Sequence, residues 1–191
     1  MIGGGPAGLA YALLVAEGNF VTVMERTIRL GGAFRLACRA PLFEAVEARE
    51  DAFGLHIEAL AEACQQRGVR FRFGVDALAH PSHLLPFDLV VVATGAHYRF
   101  GLGPVVRLVL GTGLSRPEWV RQILGWPRLR DWLYHRARAA TGEAFRAVLR
   151  EGQELVIIGD ARSPGKAAPA IRSAFAAALL GDPLALEEGA S

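Results

Sequence analysis

Met1-Ile2-Gly3-Gly4-Gly5-Pro6-Ala7-Gly8 opens the chain with a G-x-G-x-x-G arrangement. From Ala7 to Glu17 follows a stretch of Ala, Leu and Val that reads as a buried helix. Gly18 closes it, a residue suited to a helix C-terminus. Phe20-Val21-Thr22-Val23-Met24-Glu25 then reads as a short apolar strand ending in an acid. Each glycine has its own physical reason. Gly3 permits a tight turn, Gly5 lets the backbone approach a pyrophosphate, and Gly8 lets helix and strand pack closely. The helix N-terminus presents free N–H groups and partial positive charge to phosphate. Glu25 stands where a carboxylate accepts the hydroxyls of an adenosine ribose, and its charge disfavours a 2′-phosphate there. Arg26 is placed to flank the adenine. Only Met1-Ile2 precede Gly3, whereas the first strand of such a unit takes about four to six residues. That strand is central, so the expectation is a fragment or a misplaced start, with two neighbouring strands left unpaired.

Working outward, Leu55 to Gln66 reads as a helix closed by Gly68, and Val69 to Phe73 as a third strand. Phe87 to Ala93 is near-continuously apolar, as a strand buried on both faces of a parallel sheet requires. It runs into Thr94-Gly95. Glu154 to Ile158 is a further buried strand, ending in Gly159-Asp160. A helix follows from about Ala168 to Leu180, with Pro169 tolerated in its first turn. These elements predict an α/β fold whose parallel sheet runs third strand, second, first, fourth (Phe87–Ala93), last (Leu155–Ile158).

Composition narrows the classes. The 191 residues are 52% apolar, which excludes a disordered chain. No apolar run approaches the roughly 18 residues of a membrane span. Cys38 and Cys64 form no C-x-x-C pair, so a disulfide scaffold, zinc site or iron–sulfur cluster is not indicated. The expectation is a soluble cytoplasmic protein with no metal. Nine arginines stand against Glu118, Asp131 and Glu143 between Arg107 and Arg150. They read as solvated helix faces, so neither nucleic acid nor membrane is expected as a partner. His56, His80, His83, His97 and His135 share no ligand or triad spacing and read as structural.

Five motifs in order, Gly3–Gly8, Glu25, Gly31-Gly32, Ala93-Thr94-Gly95 and Gly159-Asp160, make the chain resemble the flavoprotein reductases with two dinucleotide-binding domains. The likeness is strongest to the C-terminal part of the NADH:flavin oxidoreductases of the 2,4-dienoyl-CoA reductase and trimethylamine dehydrogenase group. Their ending I-G-D-x-x-x-P-x-x-x-x-x-A-I fits Ile158 to Ile171. The resemblance implies a Rossmann-like FAD-binding domain. Gly5, Pro6 and Ala7 would lie against the pyrophosphate, Glu25 on the ribose and Arg26 beside adenine. Gly31 and Gly32 would let the chain pass the cofactor closely, and Thr94-Gly95 would close over its middle. Asp160, after Gly159, would accept from a ribityl hydroxyl. The helix start at Ala168 to Ile171, with Ala170, would face the flavin pyrimidine.

The departure is between Gly95 and Gly159, where 63 residues are about half of what an inserted NAD(P)H domain needs. No second G-x-G-x-x-G occurs there. Gly101-Leu102-Gly103 and Gly111-Thr112-Gly113 read as loops, and Glu118–Leu124, Arg128–Arg138 and Glu143–Leu149 as helices. The expected organisation is a discontinuous FAD-binding domain (1–100 and 153–184), a helical insert (101–152) and a tail (185–191). Two functions follow from this. One is an FAD-dependent oxidoreductase module whose hydride or electron donor is a partner, a flavin-barrel or NAD(P)H-binding subunit. The other is a non-catalytic module holding ADP or NAD at the same site, or an inactive fragment.

Overall fold

The computed structural model describes residues 1–37, 52–112, 114, 117–124, 126–132 and 136–181. Cys38, Gly113, His135 and the tail (185–191) lie outside them. Thr22–Glu25 (β1) and Arg70–Phe73 (β2) pair in parallel, with Val23 opposite Phe71. Leu89–Val92 (β3) and Glu154–Ile157 (β6) also pair in parallel, with Val91 opposite Val156. Ile2 joins the two pairs, bridging Met24 on one side and Val92 on the other. The resulting order, β2, β1, Ile2, β3, β6, is the one the apolar runs predict. The expected unpaired gap is not there. A span of three residues suffices because Ile2 donates to Val91 O (2.8 Å), and Gly3 donates to Met24 O (2.8 Å).

Both sheet faces are covered, which explains the unbroken apolar strands. Pro6–Val15 (α1), Ala52–Gln66 (α3) and Ala167–Leu180 (α7) lie on one face, and the single turn Phe34–Ala37 (α2) stacks Phe34 on Phe53 of α3. Val91 and Ile158 pack there against Ala7, Ala10, Tyr11, Ala170 and Ala174. Val23 packs beside Leu9, Ala12, Ile57 and Cys64. The alternate residues Met24, Val90 and Val92 point the other way, onto Ala77, Leu84 and Phe145. α1 and α7 meet through alanines, which lets their axes approach closely.

Gln153 clips the entry to β6. Its amide donates to Leu84 O and Phe87 O at 2.8 and 2.6 Å, and its oxygen accepts from the Arg150 N–H at 3.0 Å.

Several elements differ from expectation. Phe20, read as a strand residue, is fully exposed before β1 begins. Gly103 and Gly111, read as loop residues, lie inside a helix, Leu102–Thr112 (α4), whereas Gly101 (φ +67°) sits in the turn ahead of it. Gly103 and Gly111 have ordinary backbone angles, and the Val105, Val106, Leu108, Val109 spacing is helical. Arg128–Arg138 is not one helix: Pro127–Asp131 (α6) is short, and Arg138–Ala140 is a strand (β5). It pairs antiparallel with Ala96–Tyr98 (β4), His97 opposite Ala139. The span read as helical from Glu143 to Leu149 is a 3-10 helix, Gly142–Val148. Glu118–Leu124 (α5) is helical as read. α4 buries none of its residues, and Phe100, Val105, Leu108, Trp119, Ile123 and Trp126 are exposed.

Ile2 sits between the two halves of the sheet, and it is 5% exposed. Ile2→Ala is expected to lower unfolding free energy by about 2–4 kcal/mol, as a cavity in a packed core does. Urea unfolding followed by circular dichroism checks this.

Candidate functional site: the carboxyl edge of the sheet

Three glycine-bearing turns meet beyond the carboxyl ends of the strands, where open α/β sheets take ligands. The first lies between Ile2 and α1. Gly3 has φ +99°, and a Cβ there would stand 2.4 Å from Ala93 O. A Cβ on Gly8 would stand 2.1 Å from Gly3 O and 3.3 Å from the Ala93 methyl. These two glycines are therefore required by the fold itself. Gly5 is different. Its φ of −78° suits any residue, and a Cβ there would meet nothing within 4 Å. Among the described residues, the N–H groups of Gly5, Ala7 and Gly8 find no protein acceptor, and Pro6 at the first helical position has none to satisfy.

Glu25, 9% exposed at the end of β1, ties this turn down. Its Oε2 accepts from the Gly4 N–H (3.0 Å), and Oε1 accepts from the Thr27 N–H and hydroxyl (both 2.9 Å). Oε2 keeps one further lone pair, whereas both lone pairs of Oε1 are engaged by Thr27. Sequence reasoning assigned Glu25 to a ligand and missed this second duty. Gly31 donates to Gly4 O (2.7 Å), and its φ of +99° brings it close to the Arg35 and Ile57 side chains. Gly32 faces open space, and Arg26 is exposed with no polar partner among the described residues.

At the other end, Gly159 (φ +60°) brings α1 and α7 together: a Cβ there would lie 3.0 Å from the Ala7 methyl and 3.4 Å from that of Ala170. Its N–H donates to the buried Ser173 hydroxyl at 2.7 Å, which donates in turn to Ala170 O at 3.0 Å. Ile171 is half-buried against the helix-side core. Asp160 pairs with Arg138 and accepts from the Gly165 N–H at 3.1 Å. Burial pushes its carboxyl above the ordinary range, while Arg138 and the Gly165 N–H pull it back down. Thr141 donates to Gly95 O at 2.7 Å and so accepts from the Thr94 hydroxyl, also at 2.7 Å.

Arg138 and Thr141 are the site residues that sequence reasoning missed. Neither belongs to a glycine motif, and only the β4–β5 ladder brings them to this edge. The described cysteine, Cys64, is fully buried, and burial pushes its thiol up to about 11. Among the described residues no three His, Cys, Asp or Glu side chains gather as metal ligands, and no helix is long and apolar enough to cross a membrane.

These features define an α/β protein with a parallel sheet whose glycine-lined carboxyl edge offers main-chain N–H groups at a helix start. No family model matches the chain. A solved 2-naphthoyl-CoA reductase, in complex with 2-naphthoyl-CoA, shares its fold with a TM-score of 0.65. The two are 18% identical over 91% of this chain and 38% of that one. A metal reductase of Desulforamulus reducens is 35% identical over 105 residues, which are 51% of this chain and 14% of that protein. The chain thus spans less than two-fifths of either relative.

The contrast between glycines gives a direct test. Gly8→Ala is expected to destabilise the free protein by about 1–3 kcal/mol or more through overpacking. Gly5→Ala should stay within about 0.5 kcal/mol of the wild type, as an unhindered surface change does. Thermal unfolding of the two variants side by side checks the pair.

Proposed function

We propose that the chain is the FAD-binding module of a flavoprotein oxidoreductase that receives hydride or electrons from a partner domain or subunit. The observation that carries this reading is Gly5. The fold does not need a glycine there, yet one stands beside three donor N–H groups at a helix start, where a pyrophosphate would occupy the volume of a side chain. That open cradle, with the acceptor capacity left on Glu25 and Asp160, fits a dinucleotide. The metal reductase and the 2-naphthoyl-CoA reductase support redox chemistry by their own descriptions.

In this reading Gly5, Pro6, Ala7 and Gly8 hold the pyrophosphate. Glu25 receives a ribose hydroxyl through the Oε2 lone pair that Gly4 leaves free, and Asp160 receives a ribityl hydroxyl. The start of α7, near Ala170 and Ile171, presents its positive end to the ring. FAD, when bound, supplies a two-electron centre that no side chain here provides. The exposed Phe100, Val105, Leu108, Trp119, Ile123 and Trp126 support a docked partner, a flavin barrel or an NAD(P)H-binding unit.

Titration with FAD and with ADP, followed by the visible flavin band and by calorimetry, tests the reading. FAD uptake of one per chain is the expected result. Binding of ADP with equal affinity and no preference for FAD would instead make the chain a non-catalytic nucleotide module. Gly5→Val should abolish uptake by filling the cradle. Glu25→Ala should weaken it by about 1–3 kcal/mol, the usual cost of losing a buried charged acceptor. With the partner as the unit that holds nicotinamide over the ring, NADH added to this chain alone should bleach the flavin slowly, because positioning worth an effective molarity of about 10⁵ M or more is lost. Rapid stoichiometric bleaching would overturn the need for a partner.

A further inference from the structure

Residues 138–142 are the returning arm of the excursion that leaves the sheet after β3. Two of its side chains reach the carboxyl edge from outside the glycine motifs. Arg138, whose side chain is 11% exposed, pairs through Nη2 with Asp160 Oδ2 and donates through Nη1 to Gly165 O at 2.9 Å. The Gly165 N–H returns to Asp160 Oδ1, which closes a ring of three contacts around one carboxylate. Three residues further on, Thr141 does the same for the opposite loop, holding Gly95 O and the Thr94 hydroxyl. Its N–H also donates to Ala161 O at 3.2 Å, next to Asp160. One arm therefore spans the gap between the loop after β3 and the loop after β6.

A largely buried ion pair is a poor device for stability alone, because well-packed apolar residues of similar volume serve as well or better. What it does supply is a fixed carboxylate. Without the guanidinium, Asp160 would take up a proton or turn to solvent, since an uncompensated buried charge is costly. Either change removes the oriented acceptor that a hydroxylated ligand needs. The planar fork of arginine matters too, because lysine can neutralise Asp160 but cannot reach two acceptors in one plane.

We infer that Arg138 is a positioning residue for the flavin site: it presets the Asp160 carboxylate and the Gly165 turn for the polyhydroxylated ribityl segment of FAD, with Thr141 doing the same for Thr94-Gly95. The inference rests on the flavin reading above. Its test compares Arg138→Met, Arg138→Lys and Thr141→Val in the full chain. One readout is FAD titration; the other is amide hydrogen exchange without ligand. In Arg138→Met, exchange across 159–165 should speed about tenfold or more, with the β1 and β2 amides unchanged, and FAD affinity should fall about tenfold, the value of one charge-assisted contact. Arg138→Lys should recover only part of the affinity, by neutralising Asp160 without holding Gly165 O, and Thr141→Val should loosen 94–95 while sparing 159–165.

Equal FAD affinity and equal exchange in wild type and Arg138→Met would overturn the inference while leaving the flavin reading intact. If the wild type itself takes up no FAD, the flavin reading fails. Exchange then decides Arg138 separately, and unchanged protection at 159–165 refutes it. Should Arg138→Met not fold, Arg138→Gln replaces it, keeping polar donors without the charge. Wild-type affinity and exchange in that variant would equally refute the inference.

Discussion

Five main-chain hydrogen bonds radiate from the first three residues, and everything else in the sheet hangs on them. The Met1 amine donates to Thr22 O, Met1 O accepts from Met24, and Gly3 donates to Met24 O. On the far side, Ile2 donates to Val91 O and accepts from Ala93. Without this narrow spine, β1–β2 and β3–β6 would be two separate ribbons, and a pair of strands on its own is marginal in water. The spine also sets the register of the site. Gly3 is at once the last bonded residue of the spine and the first residue of the turn, so the turn inherits its position from the sheet.

The same economy runs through the side chains at the edge. Glu25 buttresses Gly4 and Thr27 while Oε2 keeps one lone pair free, and Gly159 lets α1 and α7 converge just ahead of Asp160. A rigid edge of this sort holds its polar groups in place before a ligand arrives, so little ordering remains to be paid for on binding.

Much of this was legible in the residues because the relevant signals are local. Gly3, Gly5 and Gly8 lie within six positions, and the run from Leu89 to Val92 is apolar at every residue. Those patterns report burial directly. Arg138 and Thr141 were not legible, since the first meets a loop 22 residues further on and the second a loop 46 residues back. No periodicity encodes such a meeting. The β4–β5 ladder was missed for a related reason: three-residue strands leave too short a pattern to separate from a loop. α4 misled in the opposite direction, its glycines suggesting turns where helical spacing of valine and leucine prevailed.

The β4–β5 ladder has one more consequence. It staples the outgoing and returning chain side by side, so the distance between the ends of the 99–137 segment is set by the ladder and not by what lies between. The entropic cost of a longer segment then grows only with the logarithm of its length, roughly 0.6 kcal/mol per doubling. Lengthening or shortening that segment leaves the strands of the parallel sheet in place. The ladder is a socket: the segment above it can change in length while the carboxyl edge of the sheet keeps its geometry.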